Sequence, residues 1–208
     1  YRYFSISNEA LKDKPELIIW PEAALPVVLE EDFSYYEKVK DFVKEAKAPL
    51  LFGAVTLRDN IYYNSALLIS GEGRFLEKYD KLHLVPFGEY IPLRKILSFL
   101  ETVVPIGDFT RGKEYSLFSL PTTHYLLPAK FSVLICFEDL FPDLSREFVK
   151  RGASFLVNIT NDAWFKRTSS PYLHLCASVF RAVENRIFLV RAANTGVSGL
   201  IAPTGNIV

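Results

Sequence analysis

Short apolar runs of about strand length recur along this chain. Four of them lie at residues 17–20, 50–55, 132–136 and 154–159. Runs of this kind are typical of strands that are buried on both faces of a sheet. Four further strands are predicted as two pairs, namely a hairpin of 62–70 and 74–78 around Gly71-Glu72-Gly73 and a later pair of 187–191 and 197–201.

Amphipathic segments between these strands predict helices. Asp32 or Ser34 is the predicted cap of a helix that runs to about Ala46, because short polar side chains accept hydrogen bonds from the first helical N–H groups. The other predicted helices are the end of a helix at 6–12, a helix at 144–150 with Asp143 as its cap and Gly152 as its stop, and a helix at 171–184. The last of these is expected to bury Leu175, Cys176, Val179, Phe180 and Val183.

The alternation of strands and helices indicates an α/β (α+β) fold. A length of 208 residues suffices for a substantial core, and we expect a single domain over residues 1–208. The chain contains no Met, begins inside a helical pattern and stops within an apolar, strand-like segment. We therefore expect it to be truncated at both ends, so targeting segments give no localisation.

The charge balance excludes one class of partner. The 24 Lys and Arg residues offset 24 Asp and Glu residues, and a nucleic-acid partner, which requires a basic face, is not expected. Apolar residues make up 50% of the chain, yet no uninterrupted apolar run approaches the ~20 residues that cross a bilayer. The composition therefore predicts a globular domain that has much apolar surface to bury.

The cysteine and histidine residues predict neither a disulfide framework nor a metal site. Cys136 and Cys176 are too few for a framework, and Cys176 is expected to be a core residue. His83, His124 and His174 share no ligand spacing, so no metal or other cofactor is predicted. His83 and His174 are interpreted as structural residues or as residues that support the site-lining side chains from behind.

Three reactive side chains stand at the ends of strand-like segments. Glu22 follows the run at 17–20, Lys81 follows the hairpin, and Cys136 ends the run at 132–136. Sites in α/β folds are assembled at the carboxyl ends of strands. A cysteine attacks as its thiolate, so Glu22 is a candidate base for Cys136 and Lys81 a candidate stabiliser of the thiolate or an oxyanion. Taken singly, a Glu or a Lys at such a position is more often a solvated loop residue than a catalytic one.

The segments around these residues resemble the nitrilase (carbon–nitrogen hydrolase) superfamily. Residues 133–142, VLICFEDLFP, resemble its nucleophile elbow. Residues 17–23, LIIWPEA, and 79–84, YDKLHL, resemble the segments that carry its glutamate and lysine. The three motifs occur in the chain order of that superfamily.

The resemblance implies both a fold and a set of roles. The implied fold is a four-layer α-β-β-α sandwich of two sheets packed face to face between helices. The implied roles are Glu22 as general base, Lys81 as oxyanion stabiliser and Cys136 as the nucleophile that forms an acyl-thioester. No cofactor is implied.

Further segments are similar to one branch of the superfamily, the C-terminal domain of the apolipoprotein N-acyltransferases. They are residues 85–92, 158–165 and 181–196. This similarity implies supporting carboxylates at Glu89 and Glu138.

Substrate-binding residues also follow from this resemblance. Trp164 is implied in the acyl-binding region, with Phe87 and Phe137 as further lining residues, and the aromatic-rich segment 86–109 is a candidate wall or lid. Two positions depart from the pattern. Phe137 stands where a Tyr is expected, and Lys166 stands where a Gly usually occurs.

The implied activity is transfer of a fatty acyl chain from a phospholipid donor to the N-terminal diacylglyceryl-cysteine of apolipoproteins. The implied location is the bacterial inner membrane, with this domain facing the periplasm and other segments of the protein contacting the membrane.

Two alternatives remain at this point. One is a soluble, cytoplasmic amidase of the same superfamily that hydrolyses a small C–N substrate. The other is a catalytically silent domain of this fold that serves as a binding module.

Overall fold

The computed structural model describes residues 2–92, 109–120, 128–166 and 168–208. Its α-helices in these ranges are α1 (Arg2–Ala10), α2 (Phe33–Ala46), α3 (Pro142–Lys150) and α4 (Ser170–Asn185). Its strands are β1 (Ile18–Ile19), β2 (Leu50–Arg58), β3 (Ile61–Ile69), β4 (Phe75–Asp80), β5 (Phe118–Leu120), β6 (Ala129–Ile135), β7 (Phe155–Asn161), β8 (Phe188–Asn194) and β9 (Gly199–Ile201). Short 3-10 helices occur at Leu11–Asp13, Cys136–Leu140 and Asp162–Phe165.

The described strands form two sheets. The first has the order β1-β2-β3-β4, with β1 parallel to β2 and the other neighbours antiparallel. The second has the order β5-β6-β7-β8-β9, and its three central strands are parallel. Parallel strands end at the same edge, so β6 and β7 bring Cys136 and Asp162, the residues that follow them, to one edge of this sheet.

The main core lies between the two sheets. Leu51, Ala66 and Leu68 of the first sheet belong to the same buried cluster as Val133 and Val157 of the second. Because side chains alternate along a strand, the neighbours of the first three point to the opposite face. Leu50, Phe52, Leu67 and Ile69 pack there in a second cluster.

Helices cover the outer faces of both sheets. On the first sheet, Val39, Phe42 and Val43 of α2 fill the second cluster. On the second sheet, α4 packs against β8 and β9, and α3 packs beside α4. The predicted four-layer α-β-β-α sandwich is therefore confirmed.

Most predicted elements are present with shifted ends. The run at 17–20 pairs as a strand only over Ile18–Ile19, and the short strand β5 was not predicted. Asp32 caps α2 as predicted, since its carboxylate accepts from the N–H of Ser34 at 3.0 Å. Asp143 does not cap α3; the N-cap is Phe141, and Asp143 lies in the first turn behind Pro142.

The predicted buried face of α4 is partly wrong. Leu175 is buried, but Cys176 is exposed, and Phe180 and Val183 are 64% and 42% exposed. The helix instead turns a polar stripe inward, formed by His174, Ser178 and Arg181. The spacing of apolar residues predicted the wrong face because it takes no account of the buried hydrogen-bond partners that these polar side chains find.

No helix among the described residues is long and apolar enough to cross a membrane. The candidate lid at 86–109 lies largely outside the described residues, which include only its two ends.

Candidate active site

Glu22 is held by an unusually close contact between its loop and β2. The N–H of Ala24 donates to the carbonyl oxygen of Gly53 at 2.9 Å. A Cβ atom at Gly53 would lie 2.7 Å from the Cα of Glu22, which is closer than carbon atoms approach. Glycine at this position therefore allows the glutamate to sit directly above the strand.

Four buried polar residues, Glu22, Lys81, Glu89 and Asn64, form a network that we call the front cluster. The Lys81 Nζ atom lies 2.8 Å from Glu89 Oε2 and 3.7 Å from Glu22 Oε1. Asn64 Nδ2 donates to Glu22 Oε1 at 2.7 Å and to Glu89 Oε1 at 2.8 Å. Two carboxyl groups thus converge on one ammonium group, which is only 1% exposed.

Cys136 lies at the point where β6 turns into a 3-10 helix. Its φ of 54° is in the left-handed region, which is uncommon for a residue with a side chain. The amide of Asn158, on the neighbouring strand β7, donates to the Cys136 carbonyl oxygen at 3.1 Å. The strained turn is therefore fixed by hydrogen bonding from the sheet beside it.

The front cluster and Cys136 meet in one pocket of about 310 Å³. The predicted site residues that line it are Glu22, Lys81, Cys136, Glu89, Phe87, Phe137 and Trp164. Phe165 and Asn161, from the 3-10 segment after β7 and its cap, complete the wall, together with residues 85, 86 and 88 of the loop after β4. Most of the pocket wall is apolar, so the charged groups that a bound carbonyl would meet are those of Glu22, Lys81 and Glu89.

The Cys136 thiol is protonated at neutral pH. Its pKa is raised to about 12, chiefly by burial and in addition by the negative charge of Glu22. The charge of Lys81, a hydrogen bond from Thr160 and the N–H of Phe137 act in the opposite direction. The thiol therefore needs a base at the moment of reaction.

Glu22 and Lys81 have the protonation behaviour that such a reaction needs. Burial raises the pKa of the Glu22 carboxyl, which makes it a better proton acceptor, although Lys81 and Asn64 oppose this shift. Burial alone would lower the pKa of Lys81, but Glu22 and Glu89 raise it above its ordinary value. Lys81 thus remains a cation in the site.

Glu138 lies behind the pocket and does not line it. Its carboxyl group, 0% exposed, accepts hydrogen bonds of 2.7–3.0 Å from the N–H groups of Leu82, His83 and Ile135 and from the Tyr79 hydroxyl. Burial raises its pKa to about 7. Because these donors adjoin Lys81 on one side and Cys136 on the other, Glu138 ties the two segments together.

The predicted aromatic residues lie around the pocket with very different exposures. Trp164 is 85% exposed and Phe87 is 53% exposed, whereas Phe137 packs edge-on against Phe165 with ring centroids 5.9 Å apart. The pocket thus opens onto an exposed apolar rim.

The comparisons with known proteins agree with this architecture. A family model described as carbon-nitrogen hydrolase matches residues 4–208. The chain belongs to the carbon–nitrogen hydrolase family. The resemblance predicted from the three motifs is therefore confirmed.

Within the carbon–nitrogen hydrolases, this chain is similar to curated proteins that share one name. A Geobacter metallireducens protein named apolipoprotein N-acyltransferase is 42% identical over 99% of this chain. One from Allorhizobium ampelinum with the same name is 37% identical over 99% of the chain. The chain spans only 39% of the length of each relative.

Solved structures of this family share the fold. An amidase from Nesterenkonia sp. AN1 is 20% identical and superposes with a TM-score of 0.72, covering 98% of this chain and 76% of its own. That structure has the acetamide moiety of fluoroacetamide attached covalently at its active-site cysteine.

Sequence reasoning missed several residues that shape the site of this carbon–nitrogen hydrolase domain. Asn64, Asn158 and Thr160 are buried polar residues inside otherwise apolar strands, and Arg191 is another. A polar residue within a buried strand requires a partner, and that requirement was the available signal.

Within the described ranges, no group of three or more His, Cys, Asp or Glu side chains is arranged to hold a metal ion. Arg181 pairs with Glu184 at 2.6 Å on the same helix, and it also donates to the carbonyl oxygen of Asp139. Cys176 lies on the outer face of α4, away from these groups.

Proposed function

We propose that this chain is the catalytic domain of an apolipoprotein N-acyltransferase that works through a Glu22–Lys81–Cys136 triad. One observation carries the reaction type: a buried thiol, a buried carboxyl and a buried ammonium group share one pocket. The curated relatives that match 94–99% of the chain, all named apolipoprotein N-acyltransferase, support acyl transfer over hydrolysis.

The first half-reaction forms an acyl-thioester. Glu22 accepts the Cys136 proton as the sulfur attacks the ester carbonyl of a phospholipid. Charge develops on the carbonyl oxygen, where Lys81 and the N–H of Phe137 are the stabilising donors. When the tetrahedral intermediate collapses, the C–O bond breaks, and the proton on Glu22 passes to the departing lysophospholipid alcohol.

The second half-reaction transfers the acyl group to an amine. The α-amino group of the N-terminal diacylglyceryl-cysteine attacks the thioester carbonyl and loses a proton to Glu22. The C–S bond breaks, the Cys136 thiol regains the proton, and an amide remains. No cofactor enters this scheme, because acid–base catalysis and charge stabilisation account for every step.

Glu89 and Glu138 act in this scheme through other residues. Glu89 holds the Lys81 ammonium in place by a contact of 2.8 Å. Glu138 sets the spacing between the Lys81 and Cys136 segments through its four hydrogen bonds.

Contact with a lipid surface is the second part of the proposal. The exposed Trp164 and Phe87 side chains at the pocket mouth are suited to an acyl chain, and indole rings favour the membrane–water interface. We assign the protein to the bacterial inner membrane with this domain on the periplasmic side. The support for that location is the naming of the relatives.

A mass measurement tests the proposal. The full-length protein is incubated with phospholipid vesicles, and the Cys136 peptide is expected to gain the mass of one fatty acyl group. Cys136→Ala should abolish the adduct, and Cys176→Ser, at the exposed second cysteine, should preserve it. Absence of the adduct together with ready hydrolysis of small amides would overturn the proposal in favour of an amidase.

The amidase alternative has one observation in its favour. A pocket of about 310 Å³ is at the lower limit for ligand sites, and it suits a small amide without rearrangement. Vesicle acylation and amide hydrolysis, measured on the same preparation, separate the two activities.

A further inference from the structure

A second group of buried charges lies next to the backbone of Cys136. It consists of Asp139, Asp162, His174 and Arg191, which we call the rear cluster. None of its members lines the pocket. The inference drawn from it rests on the proposed role of Cys136 as nucleophile.

His174 bridges the two carboxylates of the rear cluster. Its Nδ1 atom lies 2.9 Å from Asp162 Oδ1, and its Nε2 atom lies 3.0 Å from Asp139 Oδ1. Arg191 bridges the same pair through their other oxygens, with Nη1 3.1 Å from Asp139 Oδ2 and Nη2 3.1 Å from Asp162 Oδ2. Each carboxylate is thus shared by the same two basic groups.

The contacts to two carboxylates favour a protonated imidazole. Carboxylate oxygens only accept hydrogen bonds, so a His174 ring that bonds to both of them donates from both nitrogens. Two cations then balance two anions in a region that is at most 4% exposed, whereas a neutral imidazole would leave a buried negative charge unbalanced. Burial alone would lower the pKa of His174, but its hydrogen bonds to Asp139 and Asp162 raise the pKa to about 9.

One nitrogen of Arg191 also approaches the imidazole. Arg191 Nη2 lies 3.0 Å from His174 Nδ1, which would accept from it in a neutral imidazole; in the protonated ring the two nitrogens donate to different oxygens of the Asp162 carboxylate. The shared anion compensates the proximity of the two cations. Ser178 and Thr160 donate to Asp139 at 2.6 Å and to Asp162 at 3.1 Å, and Asn158 Oδ1 accepts from Arg191 Nη1.

The rear cluster contacts the nucleophile segment at two points. His174 Nε2 lies 3.3 Å from the carbonyl oxygen of Cys136, beside the amide of Asn158 that donates to the same oxygen. The imidazole ring also stacks on Phe137, with centroids 5.2 Å apart and an interplanar angle of 23°. Cys136 needs such support because of its left-handed backbone, and Phe137 is a wall of the pocket.

The close approach of Gly196 shows how tightly this region is packed. A Cβ atom at Gly196 would lie 2.4 Å from Asp162 Oδ2, and its φ is 81°. The loop after β8 is therefore built against the carboxylate and closes the cluster.

We propose that protonated His174 is a positioning residue for the nucleophile, holding the Cys136 peptide and the Phe137 ring in the geometry from which the thiol attacks. His174 is not the base for Cys136, because both ring nitrogens already face carboxylates. The charged and titratable groups that face it are Asp139, Asp162 and Arg191.

Alkylation of Cys136 by fluoroacetamide tests this role without using a phospholipid. In this reaction the sulfur displaces fluoride, an S–C bond replaces the C–F bond, and the thiol proton goes to Glu22. Failure of vesicle acylation would leave this assay intact, so the inference and the proposed function can fail separately.

The first measurement uses the unmodified full-length protein. The alkylation rate of Cys136 is followed from pH 7 to 10.5, and the protonation of His174 is followed by ¹⁵N NMR of histidine-labelled protein. We expect the rate to fall as the His174 signal passes from imidazolium to imidazole. Glu138, with a pKa of about 7, titrates below this transition, and ionisation of Cys136, with a pKa of about 12, raises the alkylation rate with pH and so does not produce a fall. A rate that does not fall while His174 loses its proton would overturn the proposal, as would a neutral His174 at pH 7.

The second measurement uses His174→Gln, with Cys176→Ser on the exposed face of the same helix as the control. Misplacement of a reacting group by about 1 Å slows a reaction roughly 100-fold, and we expect a loss of that order in the alkylation rate of the folded variant. The control should react at the rate of the unmodified protein. A His174→Gln variant that reacts at the unmodified rate with an unchanged pH profile would contradict the positioning role. If the variant does not fold, the pH measurement decides alone.

Discussion

The front and rear clusters are both buried, but their charge balance and surroundings differ. In the front cluster, Glu22 and Glu89 face the single cation Lys81 beside an open pocket. In the rear cluster, two carboxylates face Arg191 and His174 in a closed region.

The difference shows how one domain combines reactivity with rigidity. Burial is the main cause that raises the pKa of Glu22, and the negative charge of Glu89, which the single cation does not balance, raises it in addition. A balanced set with every carboxylate bridged twice resists rearrangement. The proposed chemistry is therefore placed in the unbalanced cluster, and the proposed role of the balanced cluster is to support the turn that carries Cys136.

Removing the cation of the front cluster should have the largest effect. Lys81→Met deletes a donor to the developing oxyanion, and we expect acylation of Cys136 to slow by about 10³-fold. The rate is measured by mass spectrometry of the Cys136 peptide. Lys78→Met is the matched control, because Lys78 pairs with Asp80 at 3.0 Å in a partly exposed position where such a pair contributes little. Comparable rates for the two variants would refute a special role for Lys81.

The rear cluster should make stability depend on alkaline pH. The folded-state pKa of His174 is raised to about 9, so its contribution is complete below the unfolded value of about 6.5 and is lost as pH rises through 9. This shift corresponds to ~3 kcal/mol of unfolding free energy. Denaturant unfolding at pH 6.5 and pH 10 should reveal the loss in the unmodified protein and not in His174→Gln. An equal pH dependence in both proteins would contradict this assignment.

A milder change tests the charge imbalance of the front cluster. The charge of Glu89 raises the pKa of Glu22, so Glu89→Gln should lower that pKa and move the acidic limb of the pH–rate profile to lower pH. The rate itself should fall by about 10-fold as Lys81 loses its partner at 2.8 Å. Alkylation of Cys136 across pH 4–8 measures both quantities, and an acidic limb displaced to higher pH would show the wrong sign.

The smallest effect on the domain itself is expected at the open side of the front cluster. Trp164 is 85% exposed, so Trp164→Ala should change the unfolding free energy by no more than about 0.5 kcal/mol. Fluoroacetamide alkylation should be unchanged, while the KM for vesicle phospholipid rises. Tyr172→Ala, at a residue that is 65% exposed and outside the pocket lining, is the control. Equal KM values for both variants would show that Trp164 does not contribute to lipid binding.

The site residues that could be predicted stand next to recognisable segments. Glu22 and Cys136 stand at the ends of apolar strands, Lys81 follows the hairpin, and the structure brings all three to one pocket. Asn64 and Arg191 could not be assigned in this way. A single polar residue in an apolar strand indicates that a hydrogen-bond partner exists, but it does not identify that partner. Asn64, for example, bonds to Glu22, which is 42 positions away in the sequence.

The misassigned face of α4 has a related cause. Counting apolar positions placed Cys176, Phe180 and Val183 inward, yet the structure leaves all three exposed. His174 and Ser178 turn inward instead, since Asp139 offers each of them a buried acceptor. The spacing of apolar residues predicts which helix face gains most from the hydrophobic effect. It carries no information about hydrogen-bond partners elsewhere in the fold, which allow a polar face to be buried instead.

The sequence by itself determined the family, the layered α/β fold and the candidate nucleophile, because strand-length apolar runs and their flanking motifs are local properties. Only the tertiary structure decided which charges share an environment. The front cluster joins side chains from the Glu22 loop, β3 and the loop after β4, and the rear cluster joins two 3-10 segments with α4 and β8. Electrostatic and hydrogen-bond energies depend on distance and burial, and the distances between these segments are set when the two sheets pack together.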